Sequence, residues 1–216
     1  AQRRDVPTGG SLYSGIGGLD LAVGGTPAWF CEADKHCATI LERHWPGVPI
    51  LSDVRELDAT VGRVDVLHGG YPCQPFSVAG KQLASADPRD MVPQFIRAVF
   101  EAQPKAFLME NVPGLLTARN ASYTRQAVAQ LEDLGYRVYV KKLDASEYGV
   151  PQGRERVFFV GVHRDAKFAF PRPSHGPFGT FPFVPARQAL INVPDCDPNR
   201  AIVTYAKHPV LRPSPW

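Results

Sequence analysis

The 216-residue chain contains no apolar run near the roughly 20 residues that a membrane span requires. It also lacks the basic, apolar and small-residue succession of a signal peptide at its start. Both absences set the expectation of a soluble, cytoplasmic protein with no membrane partner. Excess charge is small: 24 Lys and Arg stand against 21 Asp and Glu, a formal +3 that permits nucleic-acid binding without arguing for it. Cysteine is scarce as well. The four residues Cys31, Cys37, Cys73 and Cys196 form no C-x-x-C pair, and no histidine cluster completes a zinc set, so no metal site is expected. Disulfides are not expected in a reducing compartment. Internal repeats are missing too.

What is present is alternation. Strand-like runs at Ser11–Ser14, Ala28–Glu32, Ile50–Leu51, Val64–His68, Ala106–Met109, Tyr136–Leu143 and Arg156–Val162 alternate with helical patterns. The helices are expected at Leu19–Val23, Lys35–His44, Met91–Ala102 and Tyr123–Leu134, the third presenting Phe95, Ile96, Val99 and Phe100 on one face. This order predicts an α/β fold, a doubly wound and mostly parallel sheet. After about Arg164 the prolines at 171, 173, 177, 182 and 185 break the periodicity, and the segment reads as linker with a short helix near Pro185.

Three features lie at successive strand ends. The first is the turn Tyr13-Ser14-Gly15-Ile16-Gly17-Gly18, which by itself is either a cofactor loop or a tight structural turn. The second is Glu32, placed where an acid in such folds binds ribose hydroxyls. The third is Asp53, which could accept from an adenine amino group. Together they favour a nucleoside-bearing cofactor. The fourth strand runs directly into Gly69-Gly70-Tyr71-Pro72-Cys73-Gln74-Pro75-Phe76-Ser77, where prolines on both sides of Cys73 would fix the direction of its thiol. Residues Val78 to Asp90 carry almost no apolar pattern and read either as an exposed loop or as a closing lid. Glu110 ends an apolar strand, where a carboxylate is costly unless paired or exposed. Arg154 and Arg156 sit in alternating charge and by themselves read as ordinary edge-strand residues.

Four ordered blocks, Leu12-Tyr13-Ser14-Gly15-Ile16-Gly17-Gly18-Leu19, Pro72-Cys73-Gln74, Glu110-Asn111-Val112 and Gln152-Gly153-Arg154-Glu155-Arg156, resemble the signature blocks of the cytosine-C5 DNA methyltransferases. The resemblance covers roughly Ser11 to Val162 and includes Asp53 and Phe76-Ser77-Val78-Ala79-Gly80-Lys81-Gln82. It implies a Rossmann-like methyltransferase fold and S-adenosylmethionine as cofactor, converted to S-adenosylhomocysteine. The cofactor would be bound through Tyr13, Ser14, Gly15, Ile16, Gly17, Gly18, Glu32, Ala33, Asp53, Gly70 and Pro72. It further implies Cys73 as nucleophile at C6 of a cytosine flipped out of duplex DNA, with Glu110, Arg154 and Arg156 on the base and Ser77, Lys81 and Gln82 on the DNA. Family members also serve restriction-modification systems.

The chain departs from the family pattern twice. Ala33 replaces an aromatic that often follows the ribose acid, which implies weaker cofactor binding or another ring in its place. Arg187–Asp195 resembles the opening of the variable target-recognition region, and the sequence ends soon after. Residues 1–164 are therefore expected to form the catalytic, cofactor-binding domain, and 165–216 a linker with the start of an incomplete target-recognition region. A fragment, or one subunit of a split enzyme whose partner carries the rest, is the expectation that follows. The competing readings are an RNA cytosine methyltransferase on the same scaffold, a non-catalytic DNA-binding module, and a dinucleotide oxidoreductase, which the glycine pattern fits poorly.

Overall fold

The computed structural model describes residues 6–72 and 90–191. Cys73, Ser77, Lys81, Gln82 and Cys196 lie outside the described residues. Among those described, one compact unit runs to Asp144 and takes in Glu155–Arg172; a second comprises Ala145–Arg154 and the chain from Pro173 onward.

The first unit is built on a seven-stranded sheet with spatial order β3-β2-β1-β4-β5-β7-β6. Its strands are β1 (Thr8–Leu12), β2 (Thr26–Cys31), β3 (Ile50–Leu51), β4 (Val66–Gly70), β5 (Ala106–Asn111), β6 (Tyr136–Asp144) and β7 (Glu155–His163). β1 to β5 pair in parallel, while β7 runs antiparallel to both β5 and β6. Helices α1 (Gly18–Val23), α2 (Lys35–His44), α3 (Val92–Ala102) and α4 (Ala121–Asp133) make the connections. The expected α/β architecture is the observed one.

Local chemistry accounts for the helices. Asp34 caps α2, its carboxylate accepting from the backbone N–H groups of His36 and Cys37. Gly135, at φ 97°, follows α4 and donates its N–H to the carbonyl of Glu132. The buried stripe of α3 is Val92, Phe95, Ala98, Val99 and Ala102. Phe100, expected on that face, is instead 57% exposed. Two alanines let the helix approach the sheet closely, and the packed face turns away from position 100. Phe95 and Phe107 meet edge to face beneath it, with Phe107 against Tyr136 in turn.

Two strand expectations shift toward glycine. β1 lies earlier than Ser11–Ser14 and includes Gly9 and Gly10; a Cβ on Gly10 would come within 2.4 Å of the Trp29 ring. β4 lies later than Val64–His68 and includes Gly69 and Gly70, where a Cβ on Gly69 would sit 2.4 Å from the Leu12 carbonyl oxygen. Close approach of neighbours, not turn geometry, fixes these residues as glycine.

The second unit holds a 3₁₀ turn at Ala145–Tyr148 and the short helix α5 (Ala186–Ala189). The carbonyl of Glu147 accepts from the N–H groups of Ser174 and His175, and the His175 ring tilts against Phe181. Among the described residues, no helix of the chain is long and apolar enough to cross a membrane.

Candidate active site

Strand order reverses between β1 and β4, and in open α/β sheets the crevice outside the carboxyl ends of the strands at such a point is where ligands bind. Register aligns those ends: Leu12 pairs with Cys31 and Gly69, Cys31 with Leu51, and Gly70 with Glu110. The residues that follow are Tyr13, Glu32, Ser52 and Asp53. With Cys31, Ala33, Val54, Arg55, Pro72 and Met91 they line a cleft of about 510 Å³. That volume lies within the range of small-molecule and cofactor sites.

Of the residues expected to bind cofactor, Tyr13, Glu32, Ala33, Asp53 and Pro72 are therefore brought together. Ser14, Gly15, Ile16, Gly17 and Gly18 form the adjoining turn without lining the cleft, and Ile16 is exposed. Gly70 lies against Glu110, where a Cβ would fall 3.0 Å from Oε2.

Glu32 holds the glycine turn in place. Its carboxylate accepts from the N–H of Gly15 at 2.7 Å and from the N–H of Asp34 at 2.8 Å. Tyr13 adopts φ 53°, outside the usual range for a side chain of its size, and its buried hydroxyl has no hydrogen-bond partner among the described residues. Burial, then the nearby Cys31, raises the pKa of that hydroxyl, so it stays protonated. Beneath the turn, Asp20 accepts from Ser11 Oγ at 3.1 Å and faces His68 Nε2 at 3.5 Å. Burial raises the pKa of Asp20 and lowers that of His68.

Asp53 caps a 3₁₀ turn at Val54–Glu56, accepting from the Arg55 N–H at 2.9 Å and from the Arg55 guanidinium at 2.6 Å. These hydrogen bonds hold its carboxyl at about 2, below the usual carboxylate range. Cys31 lines the same cleft, but burial, with help from Asp53, Glu32 and Glu56, pushes its thiol up to about 12. It is a neutral wall, not a nucleophile.

The second feature of the rim is an ion pair. Arg156 Nε donates to Glu110 Oε1 at 2.9 Å, both side chains being about one-quarter exposed. Arg154 belongs to the second unit, where its carbonyl accepts from the Ala145 N–H. Asn111, buried at the end of β5, joins the site through tertiary contacts that the sequence does not announce. Its Nδ2 donates to the carbonyl of Tyr71 at 3.0 Å, and its Oδ1 accepts from the Val112 N–H. It thus ties the strand end bearing Glu110 to the segment that leads through Pro72 into Cys73. Among the described residues no group of His, Cys, Asp and Glu converges to hold a metal ion.

The family model for C-5 cytosine-specific DNA methylases matches residues 8–195. The chain belongs to this family. It is 36% identical over 205 residues to the type II methyltransferase M.NgoFVII of Neisseria gonorrhoeae, covering 89% of this chain and 55% of that protein. Over 189 residues it is 36% identical to the type II methyltransferase M.AquIA of a Picosynechococcus species, covering 77% of this chain and 76% of that one. Among solved structures, a prophage-encoded protein of E. coli described as a DNA modification methyltransferase superposes with a TM-score of 0.70 at 29% identity, over 88% of this chain and 56% of the other. Spodoptera frugiperda DNMT2 shares the fold, with a TM-score of 0.62 at 24% identity over 77% of this chain and 53% of the other. The chain spans about half the length of several curated relatives it matches, 55% of M.NgoFVII and 50% of M.FnuDI from Fusobacterium nucleatum.

Proposed function

We propose that this C5 cytosine methylase chain binds S-adenosylmethionine in the Tyr13–Glu32–Asp53 cleft and methylates C5 of a cytosine flipped from duplex DNA. The observation that carries the reading is the Glu110–Arg156 pair, standing on the same strand-end rim as a cofactor-sized cleft. The lining of the cleft fits the cofactor: the Glu32 carboxylate would accept from ribose hydroxyls and the Asp53 carboxylate from the adenine amino group. When bound, S-adenosylmethionine supplies an electrophilic methyl group on a sulfonium sulfur.

The chain's own residues do the rest. Cytosine C5 is a poor nucleophile until the ring gains electrons. The Cys73 thiolate adds to C6, forming an S–C6 bond, while Glu110 gives a proton to N3, so negative charge does not accumulate on the ring. The electron pair then resides on C5, which becomes competent to accept a methyl group. Arg156 holds the carbonyl oxygen of the base. A base removes the C5 proton, the C5–C6 double bond reforms, Cys73 leaves with the S–C6 electron pair, and N3 returns its proton to Glu110. Ser77, Lys81 and Gln82 contact the DNA. Unstacking the base costs a few kcal/mol, which those contacts offset.

DNA target choice rests with a target-recognition region, in this polypeptide's full-length form or in a second subunit. The test is transfer of labelled methyl from S-adenosylmethionine to mixed-sequence duplex DNA, with C73S as control and the full-length or partnered enzyme in parallel. Incorporation that C73S abolishes supports the reading. Silence of the full-length or partnered enzyme defeats it, and a preference for tRNA over duplex DNA would favour the RNA methyltransferase.

A further inference from the structure

The segment Ser52 to Arg55 supplies four consecutive residues to the wall of the cleft, more than any other stretch. Its own backbone structure is slight, although Arg55 grips the Asp53 carboxylate and Val54 and Leu57 are buried in the core. β3 is two residues long, and the 3₁₀ turn at Val54–Glu56 is closed by two backbone hydrogen bonds, Glu56 N–H to Asp53 O at 3.1 Å and Leu57 N–H to Val54 O at 3.2 Å. So short a turn has no persistence of its own.

Arg97 adds a restraint on the backbone of the turn from outside the segment. It sits on α3, off the buried stripe, and its guanidinium donates from one terminal nitrogen to the carbonyl of Leu57 and from the other to the carbonyl of Val54. Its Nε donates to Gln94 Oε1 at 3.0 Å, one turn back on the same helix. The planar fork thus bridges both ends of the turn that Asp53 caps, while Gln94 fixes the orientation of the fork. Arg97 does not itself line the cleft. We propose that Arg97 is a positioning residue, whose two-carbonyl clamp sets the Asp53 carboxylate where it reads the amino group of adenine. This rests on the cofactor reading given above.

The clamp also explains an economy of the fold. Met91, just before α3, lines the cleft, and Arg97 lies within α3. The wall residue at the start of α3 and the clamp within it are therefore held in one frame.

The test compares binding of S-adenosylhomocysteine with its inosine counterpart, in which a carbonyl oxygen replaces the 6-amino group. Asp53 accepts from the amino group and is repelled by the oxygen, so the unmodified chain is expected to prefer adenine on the order of tenfold or more. A clamp that merely stabilises the fold would weaken both ligands alike and leave that ratio intact. R97M is expected to bring the ratio toward one. R97K, which can reach one carbonyl but not both, should fall between, and Q94L should lower the ratio least. Circular dichroism checks each variant for folding; should R97M unfold, R97K and Q94L carry the measurement. Folded variants that keep the unmodified ratio overturn the proposal. An unmodified chain that binds neither ligand, or both equally, overturns the Asp53–adenine reading and the proposal with it.

Discussion

Arg156 Nε lies 2.9 Å from Glu110 Oε1, across the antiparallel pair of β5 and β7. Charge neutralisation by the guanidinium lowers the cost of holding a carboxylate near an apolar strand end. In the proposed mechanism, this carboxyl group must donate a proton to N3. E110Q keeps the shape of the side chain and removes the transferable proton. Its expected effect is a loss of methyl transfer on the order of 10²–10⁴-fold, with affinity for S-adenosylhomocysteine unchanged. Turnover within a few-fold of the parent would remove Glu110 from the mechanism.

Arg156 is expected to act through its fork as well as its charge. R156M should lower turnover on the order of 10²–10³-fold, as loss of an oxyanion donor does. R156K should recover only part of that, because an ammonium cannot reproduce two planar donors. Single-turnover rates on both variants distinguish the two contributions.

Two glycines predict opposite phenotypes. In G70A the new methyl would stand 3.0 Å from Glu110 Oε2, so the carboxylate must shift by a few tenths of an ångström. Roughly tenfold slower methyl transfer with little change in melting temperature is expected. In G161A the methyl would lie 2.0 Å from the Phe107 ring, deep in the core. A stability loss of about 1–3 kcal/mol or more is expected from overpacking. Thermal melts and turnover, measured side by side, check both.

Removing the Glu32 side chain frees the Gly15 and Asp34 N–H groups. E32A should cost about 1–2 kcal/mol in urea unfolding, and it should weaken cofactor binding by loosening the glycine turn. Unchanged stability would mean that water replaces the carboxylate without loss.

Acid unfolding has a defined origin. The Lys105 ammonium, at 2.7 Å, and the Thr8 N–H and hydroxyl hold Asp65 at about 2; Arg55 holds Asp53 at about 2. Depressed carboxyl pKa values contribute stability that is present above about pH 4, the unfolded value, and lost as pH falls toward 2. The urea midpoint should therefore decline across that window. K105M should shrink the Asp65 part of the decline and end it at a higher pH, because the folded-state pKa rises toward the unfolded one.

The sheet, its strand alternation and the acids at strand ends were legible because they rest on periodicity and on local motif order. Lys35–His44 and Ile50–Leu51 emerge at the expected bounds for that reason. What the sequence hid is tertiary. Gly10 and Gly69 fall just outside the expected strands Ser11–Ser14 and Val64–His68, because it is Trp29 and the Leu12 carbonyl that need their space. Asn111 reads as a polar strand end until the Tyr71 carbonyl stands opposite it. Nothing in the local sequence around Arg97 announces that carbonyls at 54 and 57 will meet it. Arg156 read as an edge-strand residue without the family, since its partner is brought by a strand pairing that no local pattern encodes.

The reversed direction of β7 has a geometric consequence. Nine residues span the strand, so a parallel β7 would carry Arg156 to the opposite rim of the sheet, roughly 25 Å away. Antiparallel pairing lets the polypeptide deliver chemistry as it arrives at the sheet, whereas β1 to β5 deliver theirs as they leave. The working edge is thus furnished by traffic in both directions.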